Sequence, residues 1–441
     1  MNSKKQFLYC LVLRQRKRCN FIMNFELLKG KEHFPDGSKI DDWFYEISIK
    51  NNEKNYILTD YEIRDDGKVY TEEIQALIDY VSANGGGNLV VPEGVFVSGA
   101  LFFKPNVNLI IEENGVLRGS DDIADYPVCN TRIEGESCIY FPALINADAL
   151  DGFKILGKGT IDGNGEKSWK AFWARREWNP NCSNKDEQRP RLVYLSNCTN
   201  SMIVGVTLKN SHFWTTHIYK SKYVKILDCQ FISQREPTPA PSTDAIDIDA
   251  CSYVHIKNCY FSVNDDGIAL KGGKGPYADT VEENGSNERI LIEDCIYNYC
   301  HGCLTCGSEA IHNKNILLRR IKVNDAVNLL WLKMRPDTPQ HYEWITVDDA
   351  SGHVENFINI NPWAQFFDLK EKKEIPLSYS NNIILKNCNI DCDMFFNVTL
   401  DESQYILSDF VFENLCINAK ENGFNEGTIK NLKQNNVKVN L

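Results

Sequence analysis

Long apolar runs are missing from this sequence. Nowhere do roughly 18 consecutive apolar residues occur, which excludes a membrane-spanning helix. Positive charge is also short: 48 Lys and Arg stand against 60 Asp and Glu, a net charge of −12. A general nucleic-acid binder needs clustered cations for phosphate contacts, so that class is excluded. A good export signal is lacking too. The apolar stretch Phe7 to Leu13 is short and runs straight into Arg14, Arg16, Lys17 and Arg18, without the longer apolar core and small-residue cleavage site of a signal peptide. Residues 1–22 are therefore a candidate for absence from the mature protein. What remains is a 441-residue chain, 43% apolar and 24% charged, a globular composition that rules out wholesale disorder and a collagen-like fibre.

Cysteine, by contrast, is plentiful at 16 residues. Five of these close similar phrases: Val-Tyr-Leu-Ser-Asn-Cys198, Val-Lys-Ile-Leu-Asp-Cys229, Val-His-Ile-Lys-Asn-Cys259, Ile-Leu-Ile-Glu-Asp-Cys295 and Ile-Ile-Leu-Lys-Asn-Cys388. Buried thiols act as small hydrophobes, so one equivalent Cys per repeat reads as a stacked interior ladder. Cys300-x-x-Cys303-x-x-Cys306 has a metal-site reading beside the bland one of inward small residues on a strand. Many apparently free thiols and the poor export signal favour a cytoplasmic protein, with a periplasmic or secreted one as the alternative.

Aligned on the cysteines, Val224 and Ile226 match Val254 and Ile256, Ile290 and Ile292, then Ile383 and Leu385. Phe231, Phe261, Tyr297 and Ile390 follow two residues beyond each Cys. Apolar residues two apart make a strand with one buried face, and the Asn or Asp before each Cys turns the chain. Hairpin turn signals are sparse, against a β-propeller, and no stretch between copies has helical period. The expected fold is all-β, a right-handed single-stranded parallel β-helix. One helix, Thr71 to Ala83, carries Ile74, Leu77, Ile78 and Val81 on one face and is expected to cap the open N-terminal end, with Thr71 as its cap and Gly85-Gly86-Gly87 ending it. Residues 1–60 read as a short extension and 61–441 as the solenoid.

Carboxylates gather at Asp244-Ala-Ile-Asp247-Ile-Asp249 and Asn264-Asp265-Asp266. Asp244 and Asp266 lie one short coil apart, so a solenoid stacks them on adjacent rungs. A solvated acidic face or a calcium site is the bland reading. Stacked like charges raise at least one pKa, and paired acids in different protonation states are what glycoside hydrolysis uses. His301 comes one repeat later. Lys271, Lys333 and Arg335 supply cations, which in an acidic protein suggests an anionic ligand.

Together with Gly157-Lys-Gly-Thr-Ile-Asp-Gly-Asn-Gly165, His212-Phe-Trp214-Thr-Thr-His217 and the Gly-rich entry at 83–94, these motifs make the sequence resemble glycoside hydrolase family 28, the polygalacturonases and rhamnogalacturonases, over residues 61 to 400. The resemblance implies a pectin-lyase-like β-helix and an inverting hydrolase of α-linked galacturonic acid, acting on pectic oligosaccharides or polysaccharides with neither cofactor nor metal. It implies Asp265 as general acid, Asp244 and Asp266 as the acids that activate water, and His301 as the residue that tunes the acid site. Lys333 matches the lysine that binds a uronate carboxylate, and His217, Lys271 and Trp214 fall in the substrate-binding set. The sequence departs from the family where Ser242 replaces Asn, Cys300 replaces the first Gly of Gly-His-Gly, and Trp331 stands in place of the Arg of Arg-x-Lys. Either Arg335 substitutes for that Arg, or one subsite takes a neutral sugar such as rhamnose with Trp331 stacking on it. Residues 166–190, read as a loop bearing Trp169, Trp173 and Trp178, and the insertions at 233–243 and 273–289 are expected to wall a closed pocket and give exo action. The competing readings are a Ca²⁺-dependent pectate-lyase-like β-helix and a non-catalytic carbohydrate-binding one.

Overall fold

The computed structural model describes residues 32–49 and 54–441; residues 1–22 lie outside them. The chain divides into two compact units after Ile49. In the first, a bridge joins His33 to Lys39, and Phe34, Ile40 and Phe44 are buried. The second is a right-handed parallel β-helix. Its first strand, Asn55–Ile57, lies ahead of the expected start at residue 61 and pairs in parallel with Gly87–Val91.

Every pairing between the described strands is parallel except the hairpin Cys129–Ile133 with Glu136–Tyr140. The repeats are rungs. Val224, Val254, Ile290, Ile316, Ile345 and Ile383 stand opposite one another in turn, all pointing into the core. Phe231, Phe261 and Tyr297 form a ring stack with centroids 5.4 and 4.8 Å apart. The Asn or Asp before each repeat Cys takes the left-handed conformation that Asn and Asp tolerate best, at Asn197, Asp228, Asn258, Asp294 and Asn387. The turn aims each thiol inward, where Cys198, Cys229, Cys259, Cys295 and Cys388 each donate to the carbonyl two residues back. Cys300, Cys303 and Cys306 are likewise wholly buried in the apolar core, so the bland reading of that triplet holds.

The helix Thr71–Ala83 buries Ile74, Leu77, Ile78 and Val81 against the first rungs. Thr71 is not its cap. Tyr70 takes that place without a side-chain hydrogen bond, and Thr71 Oγ1 instead accepts from Gly99 N at 2.6 Å. Residues 166–190 also differ from expectation: Glu166–Trp178 is an α-helix. It has no apolar stripe, because only Trp169 and Phe172 are buried, and tertiary contacts rather than amphipathic pattern hold it. No described helix is long and apolar enough to cross a membrane.

Candidate active site

One sheet of the solenoid contributes the strands Ile145–Asp148, Val193–Ser196, Thr216–Tyr219, Ile246–Asp249, Ile268–Lys271, Gly302–Cys306 and Asn328–Met334. Along it, Tyr194, His217, Asp247, Ala269, Thr305 and Trp331 are in register from rung to rung. The residues just ahead of three of these strands supply the acids and the imidazole. Ile246 opposes Ile268, and two residues back the same register sets Asp244 opposite Asp266. The Ala245 N–H donates to the Asp266 carbonyl, and the His301 N–H to that of Asp265.

Asp244, Asp265 and Asp266 each place one carboxylate oxygen within 4.8 Å of the others. Asp266 is fully buried and accepts from Thr305 Oγ1 at 2.8 Å and Lys333 Nζ at 3.0 Å. Gly302 is required here, since a Cβ would meet Thr305 Oγ1 at 2.1 Å and Asp266 Oδ1 at 2.9 Å. Asp265 and His301 are the outer pair, 3.5 Å apart between Oδ1 and Nδ1, with side chains 26% and 40% exposed. They alone of the four reach solvent appreciably.

The electrostatics separate the acids. Burial, then the charges of Asp265 and Asp247, pushes the Asp244 carboxyl well up. Asp247 rises for the same first reason, and neither of its oxygens has a hydrogen-bond partner. Burial works to raise Asp265 as well, but the His301 charge and hydrogen bond, with Lys333 and Lys271, outweigh it and bring it to about 2. Burial lowers His301, and Asp265 more than restores it, so the imidazole titrates above its ordinary range. Lys271 stands 3.3 Å from Glu309, 3.7 Å from Asp247 and 3.9 Å from Asp244, and 4.9 Å from the Trp214 ring centroid. Burial opposes its charge, but Glu309 and the two Asp residues hold its pKa well up.

Two recesses meet at Asp265 and His301. One, of about 320 Å³, is lined by Trp214, Asp244, Asp266, Lys271, Lys333 and Trp331, with Arg176, Glu309 and Trp363. The other, of about 770 Å³, is walled by Trp173, Arg235, Pro239 and Tyr299. The segments 166–190 and 233–243 thus do border the cleft.

Two expected residues lie elsewhere. His217 is wholly buried: Arg191 donates to its Nδ1 at 2.6 Å and its Nε2 donates to Asp249 at 3.2 Å, so burial holds it neutral with a pKa near 4. Arg335 is also buried. Its guanidinium grips Asp337 through two 2.7 Å bonds and donates to the Gln365 and Phe366 carbonyls. It therefore cannot replace the missing Arg. Trp331 does line the recess, with the Lys333 ammonium 4.0 Å from its ring centroid and Nε1 donating to Asn361. Sequence reasoning missed Glu309, Arg176 and Trp363, which come from three separate segments with no motif. It passed over Asp247, whose outward position was legible from its strand alternation.

The family model for glycosyl hydrolases family 28 matches residues 89–336. A probable polygalacturonase of Vitis vinifera is 30% identical over 250 residues, 55% of this chain and 48% of that protein. A probable endo-xylogalacturonan hydrolase A of Neosartorya fischeri is 26% identical over 296 residues, 62% of each chain. The chain thus spans about half to three-fifths of the length of these curated relatives. Among solved structures, a hyperthermoactive exopolygalacturonase from Thermotoga maritima superposes with a TM-score of 0.72 at 23% identity, covering 89% of this chain and 93% of the other. A polygalacturonase from Erwinia carotovora gives 0.66 at 20%, covering 90% and 99%. These relatives, named for action on pectic polymers, correct the cytoplasmic expectation and point away from it. The free thiols misled for a physical reason. Ten of the 14 described cysteines are packed in the solenoid core, where a thiol stays free whatever the redox compartment.

Proposed function

This chain belongs to glycosyl hydrolase family 28, and from that premise we propose that it hydrolyses α-linked galacturonic acid in pectic oligosaccharides or polysaccharides, from a chain end and with inversion. The observation that carries the reading is the convergence of Asp244, Asp265, Asp266 and His301 where two recesses meet. Asp265, the exposed acid, faces the bond to be cut. It is ionised in the free site, so the proton it gives to the leaving oxygen is held on the Asp265–His301 pair and passes through His301. Asp266, paired with Lys333, accepts a proton from the attacking water, and Asp244 orients that water. Lys333 and Lys271 supply positive charge for a uronate carboxylate. Inverting carboxyl pairs usually stand about 6.5–9.5 Å apart, so stereochemistry here rests on family membership and is read by NMR of the first product anomer.

Exo action is supported by how the smaller recess ends. The hairpin 129–140 lies across the sheet, with Arg132 donating to Asp249 at 2.7 Å and to Asn284 at 2.9 Å. Its tip is held by Asn184 on Glu134 at 2.6 Å and by Lys185 and Lys370 on Glu136. Glu134, Asn184 and Gln365 line that side of the recess. Trp331 in place of Arg offers a ring face where a guanidinium would grip a carboxylate, so that subsite accepts a neutral sugar such as rhamnose.

A Ca²⁺-dependent lyase is disfavoured because Lys333 and Lys271 already neutralise the carboxylates that would hold the ion. The test is a reducing-end assay on polygalacturonate, rhamnogalacturonan and xylogalacturonan fragments, with Asp265→Asn as control. Monosaccharide as the first product is expected. Mid-sized oligomers would overturn exo action, and an unsaturated, ultraviolet-absorbing product would overturn hydrolysis.

A further inference from the structure

We propose that His312, His341 and Glu343 bind a divalent transition-metal ion of the zinc type, at a site distinct from the acid cleft. The rung geometry builds it. His312 on the strand His312–Val323 stands directly opposite His341 on His341–Pro362, and the two rings stack at 5.3 Å and 19°. Glu343 is two residues beyond His341 on the same strand, so its side chain leaves the same face. One ligand atom from each of the three lies within 4.8 Å of the other two.

The polar atoms there are arranged for a cation. Asn381 Nδ2 donates to His341 Nε2 at 2.9 Å, and its own oxygen accepts from Asn382, which fixes the amide's orientation. His341 Nε2 therefore presents a lone pair, and a Glu343 oxygen faces it at 3.8 Å. His312 Nε2 stands 3.0 Å from the other Glu343 oxygen. Its Nδ1 lies 2.9 Å from Ser286 Oγ, a hydroxyl that can donate or accept and so serves either tautomer. Two imidazoles and one carboxylate suit zinc, whose bond lengths near 2.0–2.2 Å give a tetrahedral edge of about 3.4 Å. The observed 3.0 and 3.8 Å straddle that edge. Binding exchanges the Asn381 hydrogen bond for a metal bond and works against Lys314, 4.0 Å from Glu343.

The ion would cross-link two rungs beside the turn that ends at Gln340. That residue donates to the carbonyls of Ser308 and Ala310, which flank Glu309. The clamp thus steadies the rung edge behind the cleft without touching substrate.

Titration calorimetry with zinc ion alone, on the full chain stripped by chelator, tests this. The wild type is expected to bind one equivalent at the site and to unfold at higher temperature with zinc than without. His312→Ala/His341→Ala is expected to lose that equivalent and the thermal shift. Glu343→Gln is expected to bind at least roughly tenfold more weakly. Reducing-sugar release without metal should be the same in all three proteins. The His312→Gln/His341→Gln pair, checked by circular dichroism, replaces the alanine pair if that one fails to fold. Equal zinc binding by wild type and the double variant, or no zinc-induced thermal shift in wild type, overturns the proposal.

Discussion

Removing the Arg132 side chain tests the blind end of the cleft. Arg132 is 1% exposed and its partner Asp249 is 0% exposed. Two bonds join them, at 2.7 and 3.2 Å, and His217 Nε2 adds a third contact to Asp249. Arg132→Ala leaves a buried carboxylate with only a neutral imidazole beside it. Breaking such a pair from one side costs about 3–5 kcal/mol. Replacing both partners by apolar residues of similar volume, as in Arg132→Met/Asp249→Leu, removes the orphan charge. What remains is the loss of the His217 acceptor, about 1–3 kcal/mol. The double variant should therefore be the more stable of the two by a measurable margin.

The same change removes one of the hairpin's ties to the sheet. The assay pairs chemical denaturation with the size profile of early products on polygalacturonate. Arg132→Ala should lower stability by the larger figure and shift products from monosaccharide towards oligomers. A single-variant loss under about 1 kcal/mol, or a double variant no better than the single, would refute the buried-pair reasoning. An unchanged product profile would refute the hairpin as the barrier.

Asp265→Asn should cut kcat by about 10²–10⁴-fold while leaving the unfolding midpoint within a few degrees of wild type, read by steady-state kinetics and calorimetry. Lys333→Met should raise KM for uronate-ended substrates and, by stranding buried Asp266, destabilise the protein by about 3–5 kcal/mol in denaturation. His301→Gln should lose the basic limb of the kcat/KM profile. Because the folded pKa of His301 is raised, its active, protonated form persists below that pKa and disappears as pH rises through it. Asp265, held near 2, stays ionised in the free site down to that value, so it sets no limb between pH 4 and 9.

The solenoid was legible because its signal is repeated. Val224, Val254 and Ile290 sit at the same place in successive phrases, and parallel register makes sequence alignment and spatial stacking the same operation. Asp244, Asp265, Asp266, His301 and Lys333 were legible for a related reason: they stand at fixed offsets from those strands. His217 and Arg335 were misplaced because sequence shows that a side chain leaves the sheet outward but not what covers it. The hairpin buries the first beneath Arg132 and Arg191, and the 361–370 turn takes up the second. The helix Glu166–Trp178 was illegible because Trp169 and Phe172 are its only buried residues and they make no apolar stripe. The N-terminal cap failed on a detail of the same kind, since Gly99 claims the Thr71 hydroxyl.

The charge inventory of the cleft explains how three stacked acids are tolerated. Five carboxyls line the smaller recess, Asp244, Asp265, Asp266, Glu309 and Glu134, with Lys271, Lys333, His301 and Arg176, and buried Asp247 stands 3.7 Å from Lys271. Burial pushes the Asp244 and Asp247 carboxyls well up, which lowers the cost of the crowded like charges. Asp247 matters to that balance although it touches nothing that reacts. Its carboxyl, pushed up by burial and without a hydrogen-bond partner, leaves the Lys271 charge to Glu309, 3.3 Å away, and to the incoming uronate. Asp247→Asn keeps a neutral group of the same shape, so it should leave the KM for galacturonate-ended substrate within about twofold. Asp247→Ala opens a void beside Lys271 and should raise that KM. A large KM increase in Asp247→Asn, measured beside an unchanged unfolding midpoint, would show that Asp247 acts as an anion and that the inventory is wrong.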